Sequence, residues 1–133
     1  MIKAVFDTNI YISAIFWRGK PYKLMQAAIN RKFILVSSQP ILNELSERLR
    51  EKFSVPADKT DKYLNFLAQL AYLVKPAENV HIVKEDPQDD KIIATALAGK
   101  ADFIVTGDKH LLKLAKVSSI EIVKAADFID KIG

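Results

Sequence analysis

Apolar residues fall along this chain in two alternating patterns, short unbroken runs and longer stripes of helical spacing. Residues 2–6, Ile2-Lys3-Ala4-Val5-Phe6, are a nearly continuous apolar run, the signature of a strand buried on both faces. Residues 10–16 are apolar and read as a helix, broken at Arg18-Gly19-Lys20-Pro21, and Pro21 suits the first turn of the next helix. That helix carries Leu24, Met25, Ala28 and Ile29 at core spacing. Phe33-Ile34-Leu35-Val36 is a second strand, and Ser38-Gln39-Pro40 opens a helix with Ile41, Leu42, Leu45 and Leu49 on one stripe. Residues 58–74 read as one long helix, with Leu64, Leu67, Leu70, Ala71 and Val74 inward and Pro76 ending it. Val80-His81-Ile82-Val83 reads as an extended piece. Asp86-Pro87 then starts a helix that runs to about Ala98 and is closed by Gly99. Residues 103–106 form a strand, residues 108–115 a short helix with Leu111, Leu112 and Ala115 inward, residues 120–123 a last strand and residues 126–132 a last helix. Strands alternating with helices predict an α/β fold: a single three-layer α/β/α domain over residues 1–133, with a central parallel sheet.

Composition narrows the picture. A chain of 133 residues with 50% hydrophobic content can bury a core without staples. The absence of cysteine excludes disulfides, zinc–thiolate sites and thiol catalysis. No stretch approaches the roughly 18 unbroken apolar residues of a membrane span, and the chain opens directly on a strand-like run rather than a signal peptide. These features predict a cytoplasmic protein with no membrane partner. Twenty Lys and Arg face sixteen Asp and Glu, and the sequence pI is ≈ 9.2. If several acids gather in one pocket, the surface elsewhere is correspondingly more basic, as a nucleic-acid footprint requires.

Such a gathering is visible in the pattern. Asp7 ends the first apolar run and Asp108 follows the run Phe103-Ile104-Val105-Thr106-Gly107. Two strand ends that neighbour each other in a parallel sheet open into one crevice at its carboxyl edge. Hard oxygen ligands collected there suit Mg²⁺ or Mn²⁺. Asp7 has an alternative role as N-cap of the following helix, unless Thr8 or Asn9 takes that role and frees it. Asp108 has the same alternative. Within Glu85-Asp86-Pro87-Gln88-Asp89-Asp90-Lys91, Asp86 reads as the N-cap and Asp89 sits near the positive end of the helix dipole. Asp90, one turn before Ala94 and flanking the inward stripe of Ile93, Ala96 and Leu97, is less fully explained by capping. Spacing alone does not single out Glu44, which shares its helix with Glu47 and Glu51.

Three pieces in order, Asp7-Thr8-Asn9, the helix Asp90-Lys91-Ile92-Ile93-Ala94-Thr95-Ala96-Leu97 and Val105-Thr106-Gly107-Asp108, resemble the PIN-domain ribonucleases. The chain is most similar to the prokaryotic branch that supplies the toxins of toxin–antitoxin systems, and the resemblance spans essentially its whole length. It implies four acids in roles of catalysis and metal binding: Asp7, Glu44, Asp90 and Asp108. Asp89 is an alternative to Asp90 in the same register, and Thr8, Asn9 and Thr106 fall where the family has supporting residues. The implied activity is Mg²⁺- or Mn²⁺-dependent hydrolysis of RNA. The implied assembly is a homodimer with an antitoxin protein as a further partner.

Two other readings compete. A phosphatase with an aspartyl nucleophile normally carries a second Asp two residues after the first, where this chain has Asn9. A non-catalytic RNA- or antitoxin-binding module does not need the intact acid set. His81 and His110 offer no obvious pair for metal-free acid–base cleavage of RNA. His110, Lys109 and Lys91 stand beside the acids as candidate phosphate contacts, with solvated charge as the alternative for each. Phe16 is expected in the core, while Trp17, next to Arg18, is open between base stacking and a dimer seam.

Overall fold

The strand formed by Lys3–Phe6 (β1) is the middle of the structure, and its residues Ala4, Val5 and Phe6 have no exposed surface. That burial explains the unbroken apolar run: side chains on both faces of the strand meet protein. The structure is a computed structural model that describes residues 1–77 and 90–133. After β1 come helices Thr8–Phe16 (α1) and Gly19–Ile29 (α2), strand Ile34–Ser38 (β2), helices Gln39–Glu51 (α3) and Ala57–Leu70 (α4), and strand Tyr72–Val74 (β3). The second stretch holds helix Asp90–Ala98 (α5), strand Phe103–Val105 (β4), helix Lys109–Leu114 (α6), strands Lys116–Val117 (β5) and Ile120–Val123 (β6), and helix Ala125–Ile132 (α7).

The sheet has the order β3-β2-β1-β4-β6-β5 and is parallel throughout except for β5, which pairs antiparallel with β6. Helices flank both faces, as the alternating pattern predicts. From β1 the chain steps outward through β2 to β3, then resumes on the other side of β1 with β4. The direction of winding therefore reverses between β1 and β4, which pair with Phe6 opposite Val105. Crevices of parallel sheets open at such a reversal, outside the carboxyl ends of the strands. Beneath it, Phe6 packs 5.7 Å from both Tyr11 and Phe33, and Phe33 meets Phe128 edge-on at 5.0 Å. These four rings fix β1 against α1 and α7, and truncating a fully buried one such as Phe128 to Ala costs about 3–5 kcal/mol.

Several expectations are corrected. The long helix of residues 58–74 ends at Leu70, well before Pro76, and residues 72–74 are a strand beside β2. Their helical spacing of apolar residues is equally compatible with a short edge strand, and pairing partners far away in the chain decide the outcome. The first helix begins at Thr8, so Thr8 and Asn9 lie in its first turn and do not cap it. Gly99 does not take the left-handed conformation that closes a helix; Lys100 does, at φ 51°. Gly99 is required for a different reason: a Cβ there would lie 2.6 Å from Val36 Cγ1, so α5 rests almost directly on β2. Ile29, Leu97 and Ala115 are exposed rather than inward, and Phe16 is 42% exposed rather than core. The expected extended piece at residues 80–83, the helix start at Asp86-Pro87, His81 and Asp89 lie outside the described residues.

Candidate active site

Asp7 is placed by backbone chemistry. Its amide donates to Val105 O at 3.0 Å, carrying the ladder between β1 and β4 one residue past the strand. Asp7 occupies the N-cap position of α1, yet its side chain makes no capping bond. The carboxylate, 5% exposed, instead accepts a hydrogen bond from Thr106 Oγ1 at 2.7 Å. The same hydroxyl oxygen accepts the amide of Asp108 at 3.0 Å. Thr106 thus joins the two strand-end acids through one atom. Burial raises the Asp7 pKa above its ordinary value; bonds from Thr106 and the Thr8 amide lower it in part, while repulsion from Glu44 and Asp108 raises it further. The repulsion shows that the three carboxylates share one electrostatic neighbourhood.

Asp108 does cap. Its Oδ1 accepts the amides of His110 at 2.7 Å and Leu111 at 3.4 Å, satisfying the start of α6. His110 Nδ1 lies 3.5 Å from the same oxygen. The capping alternative weighed for the two strand ends therefore divides: Asp108 takes it and Asp7 does not.

Glu44, which spacing did not distinguish, is 13% exposed and points toward the same region from α3. Lys91 Nζ binds its Oε2, and Arg48 Nη2 lies 3.5 Å from its Oε1. Arg48 also donates from Nη1 to Asn9 Oδ1 at 2.9 Å, linking α3 to α1. Burial raises the Glu44 pKa, but the Lys91 ammonium, the nearby Thr8 hydroxyl and Arg48 outweigh it, and the net shift is downward. The Thr8 hydroxyl is buried without a well-formed hydrogen bond of its own.

Asp90, 8% exposed, heads the described part of α5 one residue before Lys91. The helix is fastened to the end of β2 by hydroxyls: Thr95 Oγ1 donates to Lys91 O at 2.7 Å and lies 2.7 Å from Ser38 Oγ. Ser38 was expected to open α3; it holds the N-cap position, but its side chain makes no capping bond and serves this buried link instead.

The structure thus brings Asp7, Thr106, Asp108 and Glu44 to the carboxyl edge, with Thr8, Asn9 and Asp90 on elements that converge there. Among the described residues, no three His, Asp or Glu side chains stand close enough to enclose one ion. Glu44 is turned to its two cations and Asp108 Oδ1 to the amides of α6. Sequence reasoning missed Arg48, whose spacing of four from Glu44 on one helix was a readable signal. For Lys91 the sequence suggests a phosphate contact or a solvated charge, and nothing local announces its bond to a residue 47 positions away.

The profile of the PIN domain family matches residues 3–110. The uncharacterized protein MJ1680 of Methanocaldococcus jannaschii is 34% identical over 119 residues, covering 85% of this chain and 75% of that protein. In fold, the chain is similar to a structure of VapBC2 from Rickettsia felis bound to a DNA fragment from their promoter, with TM-score 0.65, 17% identity and coverage of 92% of this chain and 98% of the other. It is also similar to VapBC-1 from nontypeable Haemophilus influenzae, with TM-score 0.62, 15% identity and coverage of 95% and 99%. The matched profile takes in both strand ends and all four acids, and with a relative of this identity it settles the family: the chain belongs to the PIN-domain proteins.

Proposed function

We propose that residues 1–133 form one nuclease domain that hydrolyses RNA phosphodiester bonds with the help of Mg²⁺ or Mn²⁺, and that the protein is the toxin of a toxin–antitoxin pair acting in the cytoplasm. The observation that carries this reading is Asp7: a buried carboxylate at the sheet's switch point that, among the described residues, is bonded by a hydroxyl and an amide and repelled by two neighbouring acids. Such a charge is costly unless something positive joins it. The donor set fits a hard divalent cation, being carboxylates and hydroxyls without sulfur or paired imidazoles.

The residues that would hold it are Asp7, Asp90 and Asp108, with Glu44 completing the set. A bound divalent cation supplies charge neutralisation and polarisation of the phosphodiester. The chain's own groups do the positioning. Thr106 holds Asp7 Oδ2 and the Asp108 backbone in one register. Asp108 keeps its rotamer through the α6 amides. Glu44 orients an attacking water or a cation from the α3 side.

Assembly follows the same reading. Phe16, Trp17 and Phe53 form an exposed aromatic cluster, Phe16 stacked on Phe53 at 5.0 Å and Trp17 68% exposed. A separate, mainly apolar groove of ≈ 360 Å³ is lined by residues including Ile15, Met25, Ile29 and Phe66. Surfaces of this kind suit protein partners, and we assign them to a homodimer and to an antitoxin chain. No helix among the described residues is long and apolar enough to cross a membrane.

The test is cleavage of a mixed RNA pool by purified protein with Mn²⁺, Mg²⁺ or EDTA, with Asp7→Asn as control. Metal-dependent cleavage that the control lacks is expected. Undiminished cleavage in EDTA, or equal cleavage by Asp7→Asn, overturns the metal reading, and no cleavage with either metal favours a binding module. In the same assay Asp90→Asn should lose most activity and Asp89→Asn little; the reverse moves the third acid to Asp89.

A further inference from the structure

Among the described residues, Lys91 and Arg48 converge on one carboxylate, that of Glu44. Arg48 adds only a neutral partner, Asn9. Two cations against one anion leave this trio one positive charge in excess. Neither cation is deeply buried, at 27% and 28% exposed, and both line an open groove of ≈ 490 Å³ along α3. The groove runs along α3 from Glu44 and Lys91 past Asn43 and Glu47 to Glu51 and Lys52. Glu47 and Glu51 against Lys52 make the far end net acidic, so the groove's positive charge is that of Lys91 and Arg48 about Glu44, with Lys91 one residue from Asp90.

We infer that Lys91 and Arg48 jointly bind a single phosphate of the RNA, the one adjacent to the scissile bond, with Glu44 and Asn9 holding them in position. This rests on the nuclease reading above, but it concerns binding and not the cleavage step. The geometry suits one shared phosphate. The two nitrogens sit on opposite oxygens of the same carboxylate, hence no more than about 8 Å apart, and a phosphate accepting two charge-assisted bonds of about 2.8 Å spans that distance. The chemistry divides in the usual way: Arg48 presents a planar fork pre-set by Asn9, and Lys91 a point charge at the end of a flexible stem. Glu44, besides its place in the acid set, then positions the two cations that its oxygens face.

The experiment measures binding of a labelled single-stranded RNA by fluorescence anisotropy in EDTA, from 50 to 200 mM KCl, so that cleavage plays no part. Each neutralised phosphate contributes about 0.7 to the slope of log K against log salt for single strands. Arg48→Gln and Lys91→Gln should each flatten the slope by about 0.7. The double variant should flatten it by the same amount, because both cations serve one phosphate. Arg48→Lys and Lys91→Arg should restore the wild-type slope, which a purely structural role does not require. Glu44→Gln should tighten binding several-fold, since it removes the competing anion and leaves the cations. Slopes unchanged from wild type in the folded Gln variants overturn the inference. A double variant losing about twice as much as either single one refutes the shared phosphate. Should the Gln variants not fold, wild-type slopes in the two charge-preserving variants together with tighter binding by Glu44→Gln still support the inference, and unaltered binding by Glu44→Gln refutes it. Failure of the nuclease reading is separate: it shows as wild-type protein that binds with the expected slope and cleaves nothing in Mg²⁺ or Mn²⁺.

Discussion

Asp7 and Glu44 are acids of one site with opposite surroundings. Asp7, at the end of a central strand, is almost wholly buried, neighbours two like charges and has its pKa pushed up. Glu44, on a helix at the rim, is half-buried between a lysine and an arginine and has its pKa pulled down. One is held in an environment unfavourable to its charge, the other in one that rewards it. The difference divides the labour: the strand-end region stores a demand for positive charge, and the helix-rim region already supplies it. Folding alone supplies Glu44 with two cations, whereas among the described residues Asp7 meets a hydroxyl, an amide and two further acids.

The widest gap between the two should open on removing the Asp7 charge. Asp7→Asn keeps shape and is expected to lower RNA cleavage on the order of 100-fold or more, beyond the loss typical of residues that only support a metal ligand. Its melting temperature should stay level or rise, because a desolvated and repelled charge is gone. A large drop in melting temperature by calorimetry would show that Asp7 is a structural cap after all. The mirror experiment is Lys91→Met, which leaves Glu44 with Arg48 alone. Intermediate exposure places the cost between that of surface and buried pairs, about 1–2 kcal/mol in urea unfolding. An unchanged midpoint would mean that Glu44 is not the satisfied acid described here.

Asp108 belongs to both regions and sharpens the contrast. Asp108→Ala loses the α6 cap and should cost about 1 kcal/mol. Asp108→Asn still caps, so it should retain stability while losing most cleavage. Equal activity in wild type and Asp108→Asn would leave this residue with a structural role only.

The smallest effect is in pH, since the two acids oppose each other. With Asp7 raised in the folded state, its charge is a penalty that grows as pH rises from its ordinary value of 3.8 through the folded value, and acidification relieves it. With Glu44 lowered, its contribution is complete above its ordinary value of 4.5 and is lost as pH falls through the folded value. In metal-free wild type these trends partly cancel. Asp7→Asn should therefore show a steeper loss of stability with acid than wild type, read as melting temperature across pH 3 to 6. Parallel curves would contradict the opposed shifts.

Much of the candidate site is legible in the sequence, and for a physical reason. An apolar run terminated by an acid marks at once a buried strand and the charge at its end, so Asp7 and Asp108 announce themselves. What escaped depends on contacts distant in the chain. The pairing of β3 with β2 decides residues 72–74 against a helical pattern that their spacing permits. The two-residue strand β5 is too short to carry any period. Lys91 meets Glu44 across 47 residues, and the exposure of Phe16 reflects its place at the end of α1, over Phe53 beyond α3. Glu44 enters the candidate site through the family resemblance alone; its burial and its two cations are what the structure adds.

Gly99 has a consequence for engineering this protein. Its missing side chain lets α5 lie against Val36, and the helix carries Lys91 at its other end, about 12 Å away. A rigid helix pressed on a sheet behaves as a lever with its fulcrum at the tightest contact. A methyl group inserted there lifts one end and swings the other, so Gly99→Ala would misalign Lys91 and Asp90 without touching either. Val36→Ala would return the space. The placement of Lys91 and Asp90 would then depend on a contact remote from both, and a screen of variants for retained RNA binding should recover compensating pairs at residues 36 and 99.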